Sequence, residues 1–526
     1  MFFIALTLAE TWPLAAHPAR LSRNDNGDTV VNEWTIAWVA HQAPRDPLHL
    51  YAANIFYPRT NTLAYSESML VQAAMGAPLA WLGASPVLTY NVVLMLGFAL
   101  TGWTMCLAIQ RWTGDWSAGL VSGLLLAFNA HSFTRLPHLQ ALHAEFLPLS
   151  MVALDAVLRD PRVGHALRLG MYFTLQALTS VYLLVFTASA MAAAALVRPE
   201  TWWGRRFTPV VSRLLLAAIV SAIVLFPYLL PYWTVYRQQG VATGAATATS
   251  SGAIWAHYLG TPSRIDYAVF SHKYFAGVAL FPGVIGLVLT ALALGTGQAF
   301  RDARARMCLR VGVCGLALSF GNKTPGYAAL HRVLPLLQAV RDVPRFGYLV
   351  IFAVSALAGF GVVGLRARIH RGWWPWCAAT LLAAIAFETA VAPIRFTRFE
   401  GVPSIYSQLR DVASSIVIEM PIYDRIAAFH NAPYLLNSTA HWKPMVNGYI
   451  GFEPTGYRET VDECRYFPAE RGVAAMQAAG ITHVFVHLRL YGEGIVDTID
   501  ANPAFHQLAR KGEIVLYRLD PPGAQP

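Results

Sequence analysis

Long runs without a charged residue alternate with short arginine-bearing segments up to residue 393. The long apolar runs that contain no Asp, Glu, Lys or Arg are residues 68–110, 169–197, 214–236, 274–300 and 346–365. A helix needs roughly 20 mostly apolar residues to cross a hydrocarbon core of about 30 Å. The pattern therefore predicts a polytopic α-helical membrane protein.

Weaker apolar windows, which are shorter or interrupted by a charged residue, occur at residues 1–19, 116–130, 139–158, 308–320 and 373–393. The run at 169–197 is long enough for two short helices, and we expect a break around Ser180-Val181-Tyr182. With these windows included, the sequence predicts about 11 transmembrane helices.

Arginine placement predicts the orientation of these helices. Cytoplasmic loops of membrane proteins carry an excess of Lys and Arg, and here every second loop is rich in arginine. The N-terminus is therefore expected in the cytoplasm, and the lysine-poor, arginine-rich composition favours a bacterial inner membrane. The predicted inner-loop arginines are Arg111, Arg159, Arg162, Arg168, Arg198, Arg205, Arg206, Arg213, Arg301, Arg304, Arg306, Arg310, Arg366, Arg368 and Arg371.

The polarity of the chain becomes mixed after Pro393. Short apolar runs at 415–420, 481–486 and 513–519 predict buried strands, and residues 469–479 predict a helix. We therefore expect a transmembrane domain at residues 1–393 and a small α/β domain at 394–526. The arginine pattern places this second domain on the extracytoplasmic, periplasmic side.

The first outer loop, residues 20–85, is too long for a simple connector and is expected to be structured. Its apolar residues recur at helical spacing, which predicts an amphipathic helix lying on the membrane surface. The residues that carry this pattern are Val30, Val31, Trp34, Ala37, Trp38 and His41.

Charge and cysteine content exclude two classes of protein. The 39 Lys and Arg residues exceed the 29 Asp and Glu residues, for a net charge of +10. Cytoplasmic arginines beside anionic membrane lipid account for much of this excess, so no nucleic-acid partner is expected. The five cysteines form no C-x-x-C pair, so neither a disulfide framework nor a cysteine metal site is expected.

Asp28 is the first candidate for chemistry. It follows the turn-forming run Asn24-Asp25-Asn26-Gly27, after the first predicted span and before the predicted surface helix. A carboxylate at the outer membrane face is placed to accept a proton from a hydroxyl that attacks a lipid-linked electrophile. Asp is also a good N-cap residue, and the spacing alone does not decide between the two roles.

A polar cluster lies where the third and fourth predicted spans meet the outside. It comprises His131, Arg135, His138, His143 and Glu145. An ionisable residue inside a span is costly and usually faces a cavity or a partner. His138 and Glu145 are expected two helical turns apart on one face, with His143 elsewhere. We predict that His138, His143 and Glu145 line a cavity; a hydrogen-bond network that fixes helix packing is the alternative.

Arg341 and Arg345 are one helical turn apart just before the run at 346–365. The planar guanidinium group binds phosphate oxygens in pairs. The two arginines are therefore candidates for holding a phosphate group and stabilising its developing charge. Ordinary contacts with lipid headgroups would explain them equally well.

The densest polar and aromatic run of the C-terminal part holds four candidate acceptor-binding residues. They are His441, Trp442, Asn447 and Tyr449. Sugar recognition uses aromatic rings beside hydrogen-bonding side chains. Packing of the domain explains the same run just as well.

The layout and several local motifs resemble the GT-C superfamily of membrane glycosyltransferases, and more narrowly the bacterial YfhO-type and family-39-like multi-spanning proteins. The motifs are Gly27-Asp28 with Trp34, Asn54-Ile55-Phe56-Tyr57-Pro58, Arg341-Asp342-Val343-Pro344-Arg345-Phe346 and the run from Ser438 to Tyr449. The resemblance implies an inverting transfer of a sugar from a polyprenyl-phosphate carrier to an unidentified glycan, lipid or protein acceptor. It also implies that Asp28 is the general base.

The sequence departs from the family pattern because its first outer loop lacks two adjacent acids. Glu33 is expected to line the cavity, and Asp25 and Glu33 are spaced to join Asp28 around a divalent cation such as Mg²⁺ or Mn²⁺. The spacing does not establish such a site, so no metal ligand is assigned. Two alternatives stay open, a transporter of a lipid carrier or polysaccharide and a non-catalytic GT-C-like protein of envelope assembly.

Overall fold

The protein is described by a computed structural model that covers residues 1–523 apart from Asn24, Asn26, 240–251, 272–277, Ala339 and Arg425. The described chain is predominantly helical. Its longer helices are α1 (Phe2–Glu10), α2 (Asp28–Gln42), α3 (Leu70–Trp81), α4 (Pro86–Thr113), α5 (Trp116–Ala127), α6 (Phe146–Arg159), α7 (Val163–Thr179), α8 (Val181–Leu196), α9 (Phe207–Gln239), α10 (Val284–Gly295), α11 (Ala303–Ser319), α12 (Tyr348–Arg366), α13 (Trp374–Thr389), α14 (Tyr457–Cys464) and α15 (Glu470–Ala478).

Short helical segments connect these helices. The α-helical ones are Ala130–Thr134, Leu139–Leu142, Pro199–Trp202, Arg264–Asp266, Gln298–Arg301, Tyr327–Val333, Pro335–Gln338, Ala432–Asn437, Leu488–Tyr491 and Gly494–Asp500. A 3-10 helix, Val343–Gly347, directly precedes α12.

The chain divides into two compact units. The first comprises Met1–His17, Val92–Leu230 and Val241–Ile394, and the second comprises Pro18–Asn91, Pro231–Gly240 and Arg395–Pro526. Residues 20–85 were predicted as the first outer loop of the domain at 1–393. Most of them instead belong to the same compact unit as Arg395–Pro526.

Helix α12 forms the centre of the first unit and is buried on almost every side. It packs against α5, α10 and α11. A Cβ atom added at Gly361 would lie 2.1 Å from the carbonyl oxygen of Leu289, and one at Gly359 would lie 2.3 Å from Ser122 Oγ. Small residues at these positions let the helices approach closely, which is how helices associate in a bilayer.

Four stretches of the described chain are long and apolar enough to cross a membrane, Pro86–Thr113, Leu139–Arg159, Gly204–Gln239 and Val343–Arg366. Shorter apolar helices add Leu70–Trp81, Val181–Leu196 and Val284–Gly295. The structure thus bears out a helical protein rich in apolar helices, and the number of about 11 spans stays a prediction.

Two predictions about individual spans have different outcomes. The expected break in residues 169–197 is confirmed, because α7 ends at Thr179 and the extended Ser180 accepts a hydrogen bond from Leu183 N that starts α8. The expected helix over residues 1–19 is wrong, because α1 ends at Glu10. A 3-10 turn, Leu14–Ala16, follows it.

The second unit contains a four-stranded mixed sheet. Its strands in chain order are β3 (Val417–Met420), β4 (His483–His487), β5 (Phe505–Lys511) and β6 (Ile514–Leu519), arranged β3-β4-β6-β5 with only β3 and β4 parallel. The three predicted strands are confirmed as β3, β4 and β6, and the predicted helix before the second of them is confirmed as α15. Short, continuously apolar runs predicted these strands because a strand covered on both faces carries apolar residues on both. A separate two-stranded sheet pairs β1 (Leu21–Ser22) with β2 (Thr397–Arg398).

Helix α2 is confirmed as a helix, but its predicted position on a surface is wrong. Residues around its whole circumference are buried, including Thr29, Glu33, Trp34, Ile36 and Trp38. The helix packs against α3 on one side and Ala432–Asn437 on another. These two helices are distant from α2 in sequence. The spacing of apolar residues within α2 therefore could not indicate that its polar face is also covered.

Two of the motifs that carried the family resemblance contact each other. Tyr57 N donates to Met445 O, and Met445 N donates to Asn54 O. The Asn54 side chain also donates to Ser438 Oγ and Lys443 O, both at 3.1 Å. These bonds tie the first-loop motif to the run beside β3, because Met445 itself bridges Val417.

Candidate active site

Asp28 is the first residue of α2, and its neighbour Asp25 makes the capping contacts. Gly27 precedes the helix with φ +92°, a conformation that favours glycine. Asp25 Oδ1 accepts from Thr29 N at 3.1 Å, and its other oxygen accepts from the Thr29 hydroxyl. The N-cap residue is Gly27, and the carboxylate that satisfies an amide of the first turn is that of Asp25, not that of Asp28.

The carboxylate of Asp28 is held by a tyrosine. Tyr449 Oη donates a hydrogen bond to Asp28 Oδ1 at 2.9 Å. Burial and the nearby Asp28 charge raise the pKa of Tyr449, so the phenol keeps its proton and remains the donor. The bond orients the carboxylate, which is the arrangement that a general base needs.

Glu33 lies five residues further along α2 and is completely buried. Ser22 Oγ donates to its Oε1 at 2.7 Å, whereas Oε2 has no hydrogen-bond partner among the described residues. Burial raises the pKa of Glu33 to about 8, so the group is neutral at pH 7. Glu33 therefore lies in the protein interior, and its place beside a cavity stays a prediction.

The three acids of this region do not form a metal-ligand set. Asp25 accepts hydrogen bonds from Thr29, and Glu33 accepts one from Ser22. Across the described part of the chain, no group of three or more His, Cys, Asp or Glu residues is placed to hold a metal ion.

Three of the four predicted acceptor-binding residues have packing contacts. The fully buried Asn447 accepts from Glu419 N at 2.7 Å and donates to Glu419 O at 2.9 Å, which fixes the edge of β3. The buried His441 stacks on Tyr406, and Trp442 stacks on His41 with ring centroids 4.3 Å apart. Only Tyr449 contacts a predicted catalytic residue.

A cluster of cationic side chains lies in the first unit. Arg345, on the 3-10 helix before α12, donates from Nε to Asp342 Oδ2 at 2.7 Å. Arg135 reaches the same oxygen from a distant segment at 3.5 Å. The Arg345 guanidinium also lies over the Tyr182 ring, 4.8 Å from its centroid. One carboxylate thus serves two guanidinium groups, and the group of three side chains carries a net positive charge.

The cluster stays cationic at neutral pH and is partly buried from solvent. Burial and Arg345 lower the pKa of Arg135 to about 10, so its guanidinium is still charged at neutral pH. Burial, Arg345 and Arg135 lower the pKa of His138 to about 3, so this histidine is neutral. The buried Arg135 Nε has no hydrogen-bond partner among the described residues. The cluster therefore retains an unused donor for an anion.

Arg341 does not share a helix with Arg345 as the spacing predicted. It precedes the 3-10 helix and is exposed, whereas Arg345 is half-buried beside Asp342. The structure pairs Arg345 with Arg135 instead. The sequence grouped Arg135 with the histidines but did not connect it to Asp342 and Tyr182. These residues are 207 and 47 positions away along the chain, where no local signal of contact exists.

The expected geometry of His138, His143 and Glu145 is wrong. The chain is not one helix there, because Leu139–Leu142 ends before His143 and α6 begins only at Phe146. His143 Nδ1 lies 3.0 Å from Glu145 Oε1, and its Nε2 donates to Val93 O at 3.0 Å. Both side chains are buried. This pair has the contacts of a packing network, the alternative that the sequence left open.

Comparisons with known proteins define the class of fold. No protein-family model and no curated protein matches the chain. Among solved structures, arabinofuranosyltransferase AftD from mycobacteria has a TM-score of 0.60 at 14% identity, over 99% of this chain and 39% of its own length. The chain thus spans about two fifths of that relative.

Two further structures were solved with lipid phosphates. The archaeal oligosaccharyltransferase AglB from Archaeoglobus fulgidus, in complex with an inhibitory peptide and a dolichol-phosphate, has a TM-score of 0.52 at 10% identity, over 93% of this chain and 69% of its own. ArnT from Cupriavidus metallidurans, bound to undecaprenyl phosphate, has a TM-score of 0.52 at 14% identity, over 98% and 97%. The chain therefore shares its fold with these three solved structures.

Proposed function

We propose that the chain is an inverting glycosyltransferase that moves a sugar from a polyprenyl-phosphate carrier to an extracytoplasmic acceptor. The observation that carries the proposal is the cationic cluster of Arg135 and Arg345, which share Asp342 and retain an unpaired donor. A phosphate monoester or diester is the anion that such paired guanidinium groups fit. The fold is shared with proteins solved with polyprenyl phosphates, which supports this choice of anion.

In this proposal the acceptor hydroxyl attacks the anomeric carbon of the sugar. Its proton passes to the carboxylate of Asp28, which Tyr449 orients. The bond between the anomeric carbon and the phosphate oxygen breaks, and its electron pair leaves with the polyprenyl phosphate. Arg135 and Arg345 stabilise the charge that develops on this leaving group. Membrane lipid surrounds the carrier.

The cellular setting of this reaction is also part of the proposal. The arginine pattern supports about 11 spans in a bacterial inner membrane, a cytoplasmic N-terminus and a periplasmic domain at residues 394–526. The GT-C fold supports the general arrangement of a helical membrane part that acts on lipid-linked sugars. The narrower YfhO-type relationship stays a prediction.

The first test replaces the proposed base. Asp28→Asn keeps the hydrogen bond from Tyr449 but removes most basicity, so the rate of transfer should fall by roughly a hundredfold or more. The assay incubates reconstituted protein with a panel of radiolabelled undecaprenyl-phosphate sugars and envelope fractions as acceptor source, and it measures release of undecaprenyl phosphate.

Asp46→Asn is the matched control, because Asp46 is a half-exposed carboxylate of the same unit that pairs with His49. The control should keep full activity. Asp28→Asn activity within twofold of the unchanged protein would remove Asp28 from the mechanism.

A further inference from the structure

A second site lies in the first unit, in a groove of about 350 Å³ between α4, α6 and α7. This volume is in the range of ligand-binding clefts. The groove is lined at one end by Arg111, His165 and Arg168, and elsewhere mostly by apolar side chains such as Leu107, Leu149 and Val152. None of these residues belongs to the proposed catalytic or phosphate-binding groups.

The polarity of the groove changes along the helices. Arg111 is two residues from the end of α4, and His165 and Arg168 lie in the first two turns of α7. Leu149 is ten residues before the end of α6, which corresponds to about 15 Å along the helix axis. The groove is thus positively charged at one end and apolar further along the helices. This distribution complements an amphiphile with an anionic headgroup.

The two arginines of the groove are unused by the protein. Arg111 and Arg168 are exposed, and within the described residues neither guanidinium has a hydrogen bond or an ion pair. Nearby arginines are used differently, because Arg162 pairs with Asp160 and Arg198 with Asp155, both at 2.6 Å. His165 Nδ1 donates to Asp160 O at 2.8 Å, which leaves Nε2 as its remaining polar atom.

We propose that this groove binds an anionic glycerophospholipid, with the phosphate on Arg111 and Arg168 and an acyl chain along Leu107, Leu149 and Val152. Charge complementarity selects an anionic headgroup, since the described lining contains two arginines and no acid. The arginines lie at helix ends that the sequence predicts to face the cytoplasm, where anionic lipids are concentrated. The site is a lipid site in addition to the proposed carrier-phosphate site.

The test measures lipid binding to purified full-length protein by native mass spectrometry. The lipids are phosphatidylglycerol, phosphatidylcholine and undecaprenyl phosphate, each titrated separately. Arg111→Gln with Arg168→Gln should weaken phosphatidylglycerol binding roughly thirtyfold, because each arginine near an anionic group contributes about a fivefold factor. Val152→Trp, which fills the groove and leaves both charges, should also weaken it.

The matched control is Arg368→Gln with Arg371→Gln, which removes two exposed arginines on the same predicted face but outside the groove. It should leave phosphatidylglycerol binding unchanged. An equal loss in the control, equal binding of phosphatidylcholine, or a groove variant that loses only undecaprenyl phosphate would each overturn the proposal. Failure of Asp28→Asn to impair transfer would not affect it, since the two sites share no residue.

Discussion

At the scale of single residues, Asp25 and Asp28 divide two roles that the sequence could not assign. Both are acids in one turn-forming run, and either type of contact suits an Asp. The positive φ of Gly27 starts the helix at Asp28 and turns Asp25 toward Thr29 N. Asp28 is then bonded to Tyr449 Oη. The choice depends on a tyrosine 421 residues away, which no local pattern could indicate.

Glu33 is an acid whose environment predicts a pH-dependent stability. Its pKa is raised to about 8 in the folded chain, against about 4.5 when exposed. The folded state therefore keeps a proton that the unfolded state loses between these values, and stability falls as pH rises through this window. The loss amounts to at most about 1.4 kcal/mol per pH unit.

Glu33→Gln removes the titrating group and retains an oxygen for Ser22 Oγ. The variant should melt at a higher temperature than the unchanged protein at pH 8, and the difference should shrink toward pH 5. Thermal unfolding in detergent across this range measures the effect. Glu400→Gln, at an exposed glutamate of the same unit, is the control. Parallel melting curves for the two variants at every pH would contradict the proposed burial of Glu33.

At the scale of elements, periodicity predicted which segments form helices and strands but not which faces are covered. The strands at Val417–Met420, His483–His487 and Ile514–Leu519 follow from short apolar runs. The surface position of α2 was wrong, because residues distant in sequence cover it. The relation of His138 to Glu145 was wrong, because the expected helix breaks at His143.

The packing of α6 depends on one buried carboxylate. Asp155 is fully buried and binds Arg198 Nη1 at 2.6 Å, Arg159 at 2.9 Å and Arg304 at 3.3 Å. Arg198 is itself buried. Removal of one partner of a buried ion pair costs about 3–5 kcal/mol, because the other charge is left uncompensated.

Asp155→Ala should therefore lower the free energy of unfolding by about this amount, measured by denaturation in detergent. Asp160→Ala removes a half-exposed aspartate that pairs with the exposed Arg162, and it should cost about 1 kcal/mol or less. Equal losses in the two variants would show that the Asp155 cluster contributes no more than an exposed ion pair.

At the scale of the whole molecule, the sequence predicted a helical membrane protein with a C-terminal α/β part, but not how the chain is shared between its units. Residues of Pro18–Asn91 join the unit that holds Arg395–Pro526. The contacts of Asn54 with Ser438 and Lys443 show the reason. Such long-range bonds depend on the completed fold, so hydropathy and spacing along the chain do not report them.

The candidate site was predictable in its chemistry and less so in its partners. Asp28 and Arg345 follow from residue type and motif, whereas Arg135 and Tyr182 join the cluster only through the fold. The proposal places the carrier phosphate at this cluster because two guanidinium groups share one carboxylate there and leave a net positive charge.

The central claim is tested most directly by a cryo-electron microscopy map of the full chain with undecaprenyl phosphate. We expect phosphate density within hydrogen-bond distance of Arg345 and Arg135, with Arg135 Nε as one donor. Phosphate density away from both arginines, with their contacts to Asp342 unchanged, would contradict the account.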